Sequence, residues 1–185
     1  MSVLGYVKTL ALASGAFTGG FMAVDARGLP LDFRYTDPVV PSRVQQLLYG
    51  KALDRHVRFD VLFKHLLDRL EPKPVVIFVD EEGLLSQSSP VPVALLAETR
   101  LQPLKEAAHL QTVSDTEFLL QIGETGAPLR FKLGKSDPAL AEQIKEWLVE
   151  SSKLGLDPVE PFQRIRGAVV ELGMQSSRSA VGTPD

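Results

Sequence analysis

The segment Val75-Val76-Ile77-Phe78-Val79-Asp80 is an unbroken apolar run, opened by Pro74 and closed by an acid. Successive side chains of a strand point to opposite faces, so a run with no polar alternation fits a central strand buried on both sides. A second constraint lies upstream. Gly19 to Tyr35 reads as two short strands joined by a tight turn at Ala26-Arg27-Gly28, and it drops through Thr36-Asp37-Pro38 into Pro41-Ser42 and a helix. Glycine tolerates the positive φ that such a turn requires.

With a first strand over residues 5 to 13, and with Ser14 to Gly20 as a glycine-rich connection, the amino-terminal part forms an antiparallel meander of strands at 5–13, 21–25 and 31–35. Ser42-Arg43-Val44-Gln45 is a capping box that starts a helix running to Tyr49 and stopping at Gly50. A second helix is expected from about Ala52 to Leu70, ended by Glu71-Pro72-Lys73-Pro74. Its core side carries Ala52, Phe59, Phe63, Leu66, Leu67 and Leu70. After the central strand come a helical turn at 81–85, a loop at Ser88-Ser89-Pro90-Val91-Pro92 and another apolar strand at 93–98.

From His109 the pattern changes to Leu110–Val113, then Glu117–Gly123, a turn at Glu124-Thr125-Gly126-Ala127, and Leu129–Leu133. The last two pieces alternate apolar and polar residues, as a hairpin with one wet face does. Asp137-Pro138 and Asp157-Pro158 each place a cap and an early proline before a helix with an apolar stripe. The expected fold is α/β, in the α+β sense, with a mixed or antiparallel sheet and helices packed on it. It divides into a lobe over 1–100, a hairpin and two-helix lobe over 104–173, and a disordered tail over 174–185.

Composition removes several classes of function. The 185 residues, 44% hydrophobic and 23% charged, suffice for a core without staples. The absence of cysteine excludes disulfides, thiolate nucleophiles and Cys-type zinc sites, and it fits a reducing, cytoplasmic setting. A net charge of −3 gives no global attraction to nucleic acid or to an anionic membrane, so any such binding needs a local patch. The apolar amino terminus carries its only lysine within the run, which favours a first strand over a signal peptide. No apolar stretch is long enough to span a membrane.

Motifs for chemistry are sparse. Val75 to Glu81 matches the acidic half of a P-loop ATPase, but the only Gly-Lys-Ser, at 134–136, lies downstream and lacks the earlier glycine. Asp80 and Glu81 are weak candidates for a divalent cation, without an identifiable acidic partner cluster. The three histidines lack metal spacing, no Gly-x-Ser-x-Gly elbow is present, and no motif asks for a cofactor. No catalytic residue is assigned. A basic stripe of Lys51, Arg55, Arg58, His65 and Arg69, extended by Arg43, could follow a phosphate backbone, although Asp54, Asp60 and Asp68 on the same helix blunt it.

The stretch Gly20-Phe21-Met22-Ala23-Val24-Asp25-Ala26-Arg27-Gly28-Leu29-Pro30-Leu31 resembles the central hairpin of roadblock and longin-type domains, small α/β platforms that dimerise or dock on GTPases. Its continuation through Pro38 to Gly50 resembles a group of bacterial proteins, which implies a bacterial origin and no mechanism. The preferred expectation is therefore a non-catalytic scaffold or interaction subunit with a protein partner, using Arg34, Tyr35, Tyr49, Arg55 and Arg58. The alternatives are an accessory subunit of a nucleic-acid-processing or defence complex that uses the basic stripe, and a metal-dependent hydrolase around Asp80 and Glu81.

Overall fold

The computed structural model describes residues 2–181, with side chains to residue 174. Eight strands form one sheet: β1 (Leu4–Ala11), β2 (Phe17–Val24), β3 (Pro30–Tyr35), β4 (Val76–Val79), β5 (Val93–Glu98), β6 (Leu110–Thr112), β7 (Glu117–Leu120) and β8 (Leu129–Leu133). Their spatial order is β3-β2-β1-β4-β5-β8-β7-β6. The β1/β4 and β4/β5 pairs are parallel and the rest antiparallel, so the sheet is mixed. It is continuous across the 100–104 seam, because β5 and β8 pair from Ala94↔Leu133 to Glu98↔Leu129.

The expected burial of β4 on both faces is present. Val76 and Phe78 join Leu4, Tyr6, Leu96 and Phe131 in a core covered by α4 (Pro138–Lys153) and α5 (Glu160–Val181), through Ile144, Leu148, Phe162, Ile165 and Val169. Ile77 and Val79 point the other way and meet Val7, Phe21, Phe59, Phe63 and Leu66. Each of these fully buried large side chains contributes roughly 1.5–3 kcal/mol of transfer free energy.

The opposite layer starts with α1 (Arg43–Tyr49). Its capping box is formed as expected: the Ser42 hydroxyl accepts from the Gln45 N–H at 3.2 Å, and the Gln45 side chain accepts from the Ser42 N–H at 2.8 Å. No side chain of α1 is buried. A 3-10 turn at Gly50–Ala52 leads directly into α2 (Leu53–Arg55), a π-helical stretch His56–Leu62 and α3 (Phe63–Leu66).

The expected regular helix from Ala52 to Leu70 is thus corrected in two respects. Phe59, Phe63, Leu66, Leu67 and Leu70 are buried as expected, but the middle is π-helical, Ala52 falls in the 3-10 turn and is exposed, and Val57 and Leu62 join the buried side. The helix also stops early: it ends at Leu66, where Leu67 leaves helical geometry with ψ of 2°, and Arg69 follows with φ of 51°.

The glycine-rich connection expected over 14–20 is also corrected: β2 begins at Phe17, and Gly19 and Gly20 lie within it. These two glycines serve packing rather than turning. A Cβ on Gly20 would approach Ile165 Cγ2 of α5 to 2.8 Å, and one on Gly19 would approach Leu66 of α3 to 3.1 Å. Helices thus press on β2 from both sides.

Asp137 caps α4 by accepting the Leu140 N–H at 3.0 Å. Helix α5 extends to Val181, beyond the start of the segment 174–185 expected to be disordered, and the remainder of that segment lies outside the described residues. Among the described residues no helix is long and apolar enough to cross a membrane.

Candidate nucleic-acid interface

Two places on this scaffold concentrate charge. The first is the carboxyl end of β4, where Asp80, Glu81 and Glu82 follow one another. The parallel register Val7↔Val79 brings the next residues, Lys8 and Asp80, side by side, and their side chains form an ion pair. Glu81 meets the opposite layer, where Arg58 Nη1 donates to it at 2.5 Å and also pairs with Asp54 at 2.6 Å. Glu82 pairs with Lys132 of β8, whose ammonium holds the Glu82 carboxyl below the usual carboxylate range. Burial works against the charge of Arg58, but hydrogen bonds to Asp54 and Glu81 outweigh it and hold the guanidinium above its ordinary pKa.

Each acid of the triplet therefore has its own cation from a different element. A shallow cavity of about 270 Å³ beside Asp80 is lined further by Glu98, Asp157 and Glu160. Its acid-rich walls are unsuited to phosphate.

The second place is an open groove of about 1090 Å³ between the outer side of helix residues 60–68 and the loop around Ser88 and Pro90. Lys64, His65, Arg69 and Lys73 line it, together with Asp60 and Asp68. Asp60 is engaged by His56 Nδ1 at 3.2 Å. Lys64, Arg69 and Lys73 form no ion pair among the described residues, and all three are exposed.

One lining residue of the groove, Asp68, is held from the sheet. Arg34, itself paired with Asp32 at 2.6 Å, donates from Nη1 to the Asp68 carbonyl at 2.6 Å, tying the end of the helix to edge strand β3. His65 also lines a neighbouring pocket with Tyr35, Thr36, Asp37 and Val39.

The sequence-derived candidates therefore separate. His65 and Arg69 come together in the groove. Arg43, Lys51 and Arg55 are exposed without ion pairs among the described residues, but they lie on α1, the 3-10 turn and α2. Arg58 is turned inward and spent on two carboxylates, so it is removed from the stripe. Arg34 is a structural tie, Tyr35 stacks on Phe33 with ring centroids 6.1 Å apart, and Tyr49 stacks on His56 at 4.7 Å.

As for the metal candidates, Asp80 and Glu81 are each occupied by a cation of the chain itself. Among the described residues no group of three or more His, Asp or Glu side chains is placed to hold a metal ion. Lys64 and Lys73 were missed. Their signal was available in a lysine one helical turn before Asp68 and in a lysine set between two prolines after the helix end.

No family model matches the sequence, and no curated protein matches it. Among solved structures the chain is similar to human endonuclease V, with a TM-score of 0.59 and 14% identity over 96% of this chain and 86% of that one. Ciona intestinalis endonuclease V, crystallised with a 24mer DNA containing an inosine followed by a ribo-adenosine, aligns with a TM-score of 0.49 and 11% identity over 78% of this chain and 77% of that one. The expectation of a scaffold or protein–protein interaction subunit is corrected by this comparison, since the fold is shared with human endonuclease V. At this level of identity, what the chain shares with human endonuclease V is its fold.

Proposed function

We propose that this chain binds nucleic acid as an accessory subunit of a nucleic-acid-processing complex, holding phosphate backbone while another component does the cutting. The observation that carries the reading is the similarity to the human endonuclease V fold across 96% of the chain. The three exposed cations of the groove, free of ion pairs among the described residues, supply the phosphate contacts that such binding needs.

Cutting by a two-metal mechanism would require ligands for two cations about 3.5–4 Å apart. The residues at the end of β4 do not fit that requirement. The lysine beside Asp80 neutralises the carboxylate a cation would need, and Glu81 and Glu82 are committed to Arg58 and Lys132. In this reading the chain's part is to hold the strand. Its lysines and arginine displace condensed counterions from the backbone, and no proton or bond is moved.

Fluorescence anisotropy with labelled single-stranded and duplex oligonucleotides, across a salt series from about 50 to 200 mM, tests the reading. Affinity is expected to fall linearly on a log–log plot of binding constant against salt. Absence of binding at the lowest salt defeats the proposal. Strand scission in Mg²⁺ or Mn²⁺ that disappears in Asp80→Asn replaces it with a nuclease.

A further inference from the structure

The geometry points to the groove beside α3 as the strand-binding site, with Arg69 as the residue that sets its affinity; this rests on the nucleic-acid reading above. Three observations converge there. The groove is the place where Lys64, Arg69 and Lys73 meet, drawn from the end of one helix and the loop that follows it. Its carboxylates are fewer than its permanent cations: Asp60 and Asp68 stand against two lysines and an arginine.

The third observation is the backbone of Arg69. At φ of 51° it occupies the left-handed region that favours glycine, and it does so without an ion pair among the described residues. A non-glycine residue there bears a conformational penalty that glycine would remove. The backbone at this position does not call for an arginine. Arg69 is exposed and lines the groove, and its planar, permanently charged donor fork is suited to the paired oxygens of a phosphodiester. The tie from Arg34 to the Asp68 carbonyl holds the preceding peptide, so the turn that presents Arg69 is anchored to the sheet.

The discriminating variant is Arg69→Gly, because fold and binding respond in opposite directions. Binding of a labelled oligonucleotide to the full chain is measured across the same salt series, beside thermal melting. Arg69→Gly is expected to melt no lower than the wild type, to bind several-fold more weakly, and to reduce the salt slope by about one phosphate contact, a change of roughly 0.7–0.9 in the log–log slope. Lys64→Ala with Lys73→Ala is expected to reduce the slope by about twice as much. Lys153→Ala, at the end of α4 on the other layer, leaves affinity unchanged.

If the wild type binds and both groove variants bind as it does, the groove assignment is wrong while the nucleic-acid reading stands. If Lys153→Ala weakens binding as much as Arg69→Gly, attraction is diffuse and the groove assignment again fails. If the wild type binds nothing, the reading beneath it has failed.

Discussion

Lys8 decides the character of the site at the end of β4. Its ammonium and the Asp80 carboxylate keep only 15% and 24% side-chain exposure, and Asp80 Oδ1 is already buried without a partner. Lys8→Ala would leave a half-buried carboxylate uncompensated, at a cost of about 2 kcal/mol in urea denaturation. Pairing Lys8→Met with Asp80→Asn is expected to recover much of the loss, and a Lys8→Ala protein as stable as the wild type would disprove the clasp.

Asp25 offers a separate reading by pH. Its carboxylate accepts N–H groups from Leu29 at 3.0 Å and Arg27 at 2.9 Å within the β2–β3 turn, and these bonds, the Leu29 bond foremost, hold its pKa below the usual range. The group is depressed in the folded state, so its stabilisation is present above the ordinary carboxylate pKa of about 3.9 and is lost as pH falls through the folded value. Asp25→Asn is therefore expected to melt below the wild type at neutral pH, with the gap closing as acid is added. A gap independent of pH would assign the effect to packing.

At the scale of elements, α5 approaches β2 closely at Gly20. Gly20→Ala is expected to cost about 1–3 kcal/mol, because its methyl must displace Ile165 and Val169, each within 3.0 Å of the added atom. Chemical denaturation measures this, and an unchanged midpoint would mean that α5 rides further from the sheet.

Much at this scale was legible in the sequence because its determinants are local. The Ser42 and Asp137 caps, the Ala26-Arg27-Gly28 turn and the two-faced burial of β4 were all read from neighbouring residues. The π-helical stretch at His56–Leu62 was not, since its apolar spacing is compatible with regular turns. Gly19 and Gly20 were misread for a related reason: a glycine that admits a helix above a strand looks, in sequence, like one that admits a turn.

For the whole molecule, charge is organised by contacts far apart in the chain. Lys8 and Asp80 are 72 positions apart and Lys132 and Glu82 are 50 apart, so the neutralised acid triplet could not be seen before the strand order was known. The same closure removed Arg58 from the expected stripe, while Lys64, Arg69 and Lys73 of the groove stay without an ion pair among the described residues. With a net charge of −3, attraction to a polyanion must come from that local field, which salt screens over about 8 Å at physiological ionic strength.

The order of the strands has one more outcome. A sheet that never closes on itself leaves two margins of bare peptide, each a template on which another copy could grow. Here one margin opens with Pro30 and carries the Asp32–Arg34 pair, while the other is only three residues long. Both devices blunt fibre-like stacking, so the chain can expose an open sheet without propagating it.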